Sequence, residues 1–168
     1  MTGTSRAGLG ILTEQVLYEK AYDFIKEQEG EMLQAYCCSA GKVTIGVGIT
    51  GKYEDGTPIK MGDTITDAQS RDLFMWYFKT RCLPTLPQNI QLTNGQKISL
   101  CSFIFNLGEG NWNSSTLKRK VISNPADTSI KDEFMKWIYY TNPKTGTKEV
   151  LRGLQLRRER EANLYFTA

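Results

Sequence analysis

Three side chains able to move or hold protons follow one another at short intervals: Glu29, Cys38 nine positions on, and Thr44 six further on. A carboxyl can donate or accept a proton, a thiol can serve as base or nucleophile, and a hydroxyl can do both halves of a hydrogen bond. A carboxyl at a helix end and side chains from a strand hairpin can share a cleft without being near in sequence. On spacing alone the signal is weak, because a lone glutamate at a helix end is as a rule solvated and site inference from few residues is probabilistic. The histidine count of zero excludes Ser-His-Asp, Cys-His and His-ligated zinc chemistry. Any catalysis must come from carboxylates, lysine, tyrosine, threonine, thiols or backbone groups.

The elements that would position these residues are legible in outline. Val16, Leu17, Ala21, Phe24 and Ile25 recur at helical spacing and predict a first helix over about 13–28, ended by Glu29-Gly30. From Met32 to Lys60 glycines recur, and Val43, Ile45, Val47 and Ile49 alternate with small or polar residues, a strand signal within a hairpin or small sheet. Thr66 with Gln69, and Thr93 with Gln96, read as capping boxes. The first opens a helix to about Arg81. The second opens the apolar stretch Ile98–Leu107, whose continuous hydrophobicity predicts a central buried helix broken by Gly108 and Gly110. Ser114 or Ser115 starts another short helix, and Pro125 marks the start of a further one with Ile130, Phe134, Trp137 and Ile138 on its apolar face. Asn142–Lys148 reads as a polar turn, and a last helix runs from Leu151 or Leu154 to Tyr165. The expected fold class is α+β. It is a single domain over 1–168, with a small β lobe at about 30–60 and a helical lobe from about 13–29 and 61–168. A cleft between such lobes is a common binding place.

A chain of 168 residues is long enough to bury a core without a metal or disulfide staple. The net charge of +3 is too mild for the footprint of a nucleic-acid-binding domain, and no apolar run approaches the length of a membrane span. Met1–Leu12 shows no secretory signal, so the chain is expected to stay in a reducing cytosol until something else releases it. The cysteines 37, 38, 82 and 101 form no CxxC pair. A bridge from Cys37 or Cys38 to Cys82 or Cys101 is left open.

The stretch Glu29-Gly30, Leu33, Ala35-Tyr36, Cys38, Gly41, Thr44-Ile45-Gly46, Gly48 and Thr50 resembles the active-site region of the phage-type lysozymes, glycoside hydrolase family 24, the endolysins. The family pattern is Glu, eight residues, Asp or sometimes Cys, five residues, Thr. Phe105-Asn106-Leu107-Gly108 with Ser115-Thr116-Leu117 resembles the family's central helix and following turn, and Gly153-Leu154, Arg157-Arg158 and Glu161 resemble its C-terminal helix. The resemblance implies a lysozyme-like fold with a cleft between lobes and a muramidase that cuts the β-1,4 bond between N-acetylmuramic acid and N-acetylglucosamine in peptidoglycan. It implies Glu29 as general acid, with the residues at 38 and 44 holding the water that attacks from the opposite face, and no cofactor. It also implies an endolysin that accumulates in the host bacterial cytoplasm and reaches the cell wall after holin-dependent release, as a monomer.

The chemistry agrees with those roles: glycosidic cleavage needs a proton on the leaving oxygen and a nucleophile on the other face. Two positions depart from the family pattern. Cys38 stands where a carboxylate is usual, and its readings as base, nucleophile, water positioner or inert buried hydrophobe stay open, as does an inverting or retaining outcome. Ile49 stands where the family usually has histidine. Asn106 is a candidate sugar-amide ligand or a helix-interior amide. Arg157 and Arg158 either support the site by pairing with Glu29 or its neighbours, or form a solvated basic face with Arg152 and Arg160. Glu27 and Glu31 are expected to be exposed, and Glu109 is a further candidate for the cleft. Trp112, Trp137, Tyr139 and Tyr140 read as packing residues rather than a sugar platform. The rival readings are a lysozyme-fold protein that binds peptidoglycan without cutting it, an antibacterial muramidase delivered as an effector, and a cysteine amidase, which would lack an ordinary base for its thiol.

Overall fold

The computed structural model describes the backbone of residues 6–167 and the side chains of residues 13–167. Residues 1–5, part of the stretch read above for a leader, lie outside the described residues. The chain divides into two compact units, one ending at Leu83 and one beginning at Pro84.

The first unit opens with α1 (Arg6–Glu29), which starts earlier than the apolar stripe predicts and ends one residue later. Glu29 is therefore its last helical residue. Leu17, Ala21, Tyr22 and Ile25 form the buried face, whereas Val16 is 44% exposed and falls off it. Gly30 closes the helix with a left-handed φ of 77°, its N–H donating to the Lys26 carbonyl at 2.7 Å. An antiparallel sheet follows in the order β1 (Met32–Cys37), β2 (Val43–Gly46), β3 (Ile49–Thr50). The alternating run Val43–Ile49 thus becomes two short strands joined by a tight turn. Gly46 and Gly48 supply its positive φ values of 63° and 67°. A Cβ at position 46 would also stand 3.1 Å from the Ser70 hydroxyl, so the sheet meets the next helix too closely there for a side chain. That helix, α2 (Asp67–Tyr77), carries the predicted Thr66/Gln69 capping box and passes into a π-helical turn, Phe78–Cys82. Phe74 and Phe78 stack at 5.7 Å, and Tyr22 meets Phe74 edge-on at 5.5 Å, so α1 and α2 share an aromatic core.

The second unit is built on α3 (Asn94–Leu107), capped by Thr93 and Gln96 as predicted and buried continuously from Ile98 to Ile104. The short helices α4 (Glu109–Ser114), α5 (Thr116–Ser123) and α6 (Ile130–Met135) follow. Ser115 caps α5 by accepting from the Lys118 N–H at 3.1 Å. The helix predicted at Pro125 begins only at Ile130. The Asn124 and Asp127 side chains instead accept from the N–H groups of Ala126 and Ser129, and these local bonds compete with helix. The predicted polar turn is the tip of a hairpin, β4 (Tyr139–Thr141) and β5 (Lys148–Val150). The last helix, α7 (Arg152–Thr167), packs on α3 and α6. Phe103, Trp112, Phe134 and Tyr165 fill this unit's core, each almost wholly buried. Among the described residues no helix is long and apolar enough to cross a membrane.

Candidate active site

Glu29, half-buried, ends α1 in the first unit; Cys38 and Thr44 belong to the β1–β2 hairpin of the same unit. Tyr36 pairs directly with Thr44 across the two strands. Side chains directly opposite in an antiparallel pair share a face, and so does the residue two along, which is Cys38. The half-buried Tyr36 hydroxyl feels both acidic groups. Burial pushes its pKa up first, and the charges of Glu29 and Cys38 add to the rise. One phenol thus lies within electrostatic reach of both.

The hairpin tip shapes the thiol. The Cys38 N–H donates to the Lys42 carbonyl and the Gly41 N–H to the Cys38 carbonyl, each at 2.9 Å. In this tight turn the backbone amide of Lys42 acts most strongly on the Cys38 sulfur, followed by that of Ala40. Together they outweigh a small burial effect and hold the thiol below its ordinary value of 9.0. Thr44 is 2% exposed, and its hydroxyl donates to the Lys42 carbonyl at 3.2 Å. Cys38 is half-exposed, Cys37 exposed, and Cys82 and Cys101 buried, all four as free thiols. Cys38 is therefore not a buried side chain. No bridge joins Cys37 or Cys38 to Cys82 or Cys101.

In the second unit the basic pair of α7 departs from the solvated reading. Arg157 and Arg158 are buried, at 7% and 0% exposure, around the fully buried Glu161. The Arg158 Nε lies 2.5 Å from a Glu161 carboxylate oxygen, its Nη2 donates to the Asn106 Oδ1 at 2.8 Å, and its guanidinium lies over the Phe103 ring. Arg157 donates to the Ser102 carbonyl at 2.9 Å. Burial pushes the Glu161 carboxyl up, against the opposing charges of Arg158 and Arg157. Asn106 is thereby engaged by a side-chain cation and not by backbone. Glu109 is exposed in the first turn of α4. Trp112 is core as expected, but Tyr139 and Tyr140 are 46% and 37% exposed on the β4–β5 hairpin.

An ion pair two residues beyond Glu29 was not foreseen from the sequence. Glu31, expected to be exposed like Glu27, has a side chain only 9% exposed and lies 2.6 Å from the Lys26 amine. A hollow of the first unit, about 830 Å³ and lined by Tyr53, Asp55, Asp63, Gln69 and Asp72 among others, contains none of Glu29, Cys38 and Thr44. Among the described residues no group of three or more His, Cys, Asp or Glu side chains is arranged to hold a metal ion.

A helix ending on a carboxyl, a small antiparallel sheet carrying a thiol and a hydroxyl, and a helical second unit define the lysozyme-like α+β class of glycoside hydrolases. Residues 26–161 match the phage lysozyme family. An endolysin of Acyrthosiphon pisum secondary endosymbiont phage 1 is 34% identical over 153 residues, covering 89% of this chain and 97% of that protein. The endolysin of Salmonella phage P22 is 36% identical over 117 residues, covering 67% of this chain and 77% of that one. Among solved structures, the endolysin from Escherichia coli O157:H7 phage FAHEc1 superposes with a TM-score of 0.72 at 28% identity, covering 88% of this chain and 91% of that one. The chain belongs to the phage lysozyme family and is a peptidoglycan muramidase of phage type.

Proposed function

We propose that this muramidase hydrolyses the β-1,4 bond between N-acetylmuramic acid and N-acetylglucosamine with Glu29 as general acid, and with Cys38 and Thr44 holding the attacking water. The observation that carries the reading is the reach of both Glu29 and Cys38 to Tyr36, whose cross-strand partner is Thr44. It supports a carboxyl and a thiol–hydroxyl pair gathered around one side chain, and acid-assisted attack by water needs both a proton donor and a group that holds the water.

The Glu29 carboxyl gives its proton to the glycosidic oxygen as the bond from that oxygen to the sugar's anomeric carbon breaks. A water oxygen bonds to the same carbon from the other face and passes a proton to the Cys38 thiolate. The Thr44 hydroxyl donates to the Lys42 carbonyl, and its oxygen keeps lone pairs with which to accept from that water. Proton return from Cys38 to Glu29 through solvent restores both groups. The lowered thiol supports the role of Cys38, because a thiolate accepts a proton where a thiol does not. The biological setting that fits is an endolysin made in the host cytoplasm and released to the wall with a holin's help, working as a monomer.

The test is digestion of purified peptidoglycan, borohydride reduction of the products and mass spectrometry. Reduced N-acetylmuramic acid at the new ends is the expected result. Reduced N-acetylglucosamine would assign the other glycosidic bond. Protein bound to uncut glycan would turn the reading into one of binding.

A further inference from the structure

The acid stands at a point where a chain is intrinsically loose. Glu29 is the last residue of α1, and the next residue is a glycine in the left-handed region with no side chain to pack. Helix ends open at low cost, so contacts that fix the turn beyond a helix also fix the group that ends it. Glu31 supplies a candidate. Its carboxylate lies 2.6 Å from the Lys26 amine and accepts from the Tyr22 hydroxyl at 3.0 Å. Both partners lie on the last turns of α1, so the chain leaves the helix, turns at Gly30 and is tied back to the helix it has left. The tie is anchored in turn. The Tyr22 ring carries the Arg71 guanidinium at 4.7 Å and the Lys26 amine at 5.2 Å, and packs edge-on against Phe74 of α2. Burial alone would push the Glu31 carboxyl up. The contacts with Lys26, Ser70 and Tyr22 outweigh it, and the net direction is down, so the clamp is a charged one.

We infer that Glu31 is a positioning residue for Glu29: clamped by Lys26 and Tyr22, it fixes the Glu29–Gly30 turn and with it the place of the acid's carboxyl. This rests on the reading of Glu29 as general acid. The worth of the clamp lies in geometry, since a shift of about 1 Å in a reacting group can cost on the order of a hundredfold in rate.

The experiment compares kcat and KM on purified peptidoglycan for wild type, E31Q, K26E, E31K and the charge-swapped K26E/E31K, with thermal melting of each and E29Q in parallel. Loosening without loss of the turn should lower kcat of E31Q about tenfold while KM stays within about twofold. The swap should recover most of what each single reversal loses, which general destabilisation would not do. Wild-type kcat in E31Q with E29Q inactive overturns the inference alone. Loss in the single reversals that follows melting and is not recovered by the swap also overturns it. Full turnover by E29Q overturns the underlying assignment of the acid, and the inference with it.

Discussion

Tyr36 and Thr44 stand directly opposite each other in the β1–β2 pair, and the Tyr36 hydroxyl feels the charges of both Glu29 and Cys38. The cross-strand partner of Thr44 is thus a side chain on which the charges of Glu29 and Cys38 both act. The register does this: in β structure the side-chain period is two, so Cys38 follows Tyr36 onto the same face while Cys37 is turned away to solvent.

The hairpin amides favour the thiolate of Cys38, so it is expected to be the most reactive thiol of the chain. Its value is lowered from 9.0, so at a pH between the lowered value and 9.0 it carries more thiolate than an ordinary cysteine. Iodoacetamide at about pH 7.5 should modify Cys38 several-fold faster than exposed Cys37, with Cys82 and Cys101 slower still, and muramidase activity should fall in step with Cys38 modification. Peptide mapping over time measures the order. Equal rates at Cys37 and Cys38 would remove the basis for a thiolate.

The outline of the site was legible in the sequence because it rests on local rules. The Glu29, Cys38, Thr44 spacing, both capping boxes and the apolar continuity of Ile98–Leu107 are written within short windows. What was hidden depends on how the chain turns. The charge on Glu31 looks solvated until Gly30 brings it back to Lys26 and Tyr22. Arg157 and Arg158 look like a basic face until α3 covers them and Glu161 meets them. The strands β4 and β5 are three residues each and exposed, too short for an alternation to show.

The buried cluster of α7 is a point of mechanical weakness if broken. Arg158 and Glu161 are both fully buried, so removing one leaves the other charge without its partner. Replacing Glu161 with Ala should destabilise the protein by about 3–5 kcal/mol, read as a shifted urea midpoint. Replacement of both residues with apolar side chains of similar volume should cost much less. A single Glu161→Ala variant as stable as wild type would contradict the cluster.

Two further carboxylates make stability depend on acid pH. Burial opposes ionisation at Glu31 and at Glu133, but Lys26, Ser70 and Tyr22 at the first, and Lys120 and Lys136 at the second, bring both below their ordinary value of 4.5. A carboxyl lowered by folding stabilises the native state above its unfolded value, and that contribution is lost as pH falls through the lowered folded value. The melting temperature should therefore decline from about pH 4.5 downward, and E31Q and E133Q should each flatten the decline. Melting curves between pH 6 and pH 3 measure it, and an unchanged slope in both variants would contradict the assignment.

In the proposed reaction one carboxyl, Glu29, supplies the proton that breaks the glycosidic bond. Its most direct measurement is the rate of release of new reducing ends from purified peptidoglycan by Glu29→Gln, beside wild type at matched folded concentration. The variant keeps the shape and removes the acidic proton, so the rate should fall by about a hundredfold or more with the melting temperature nearly unchanged. Release within a few-fold of wild type would contradict the account and send the search for the acid elsewhere in the molecule.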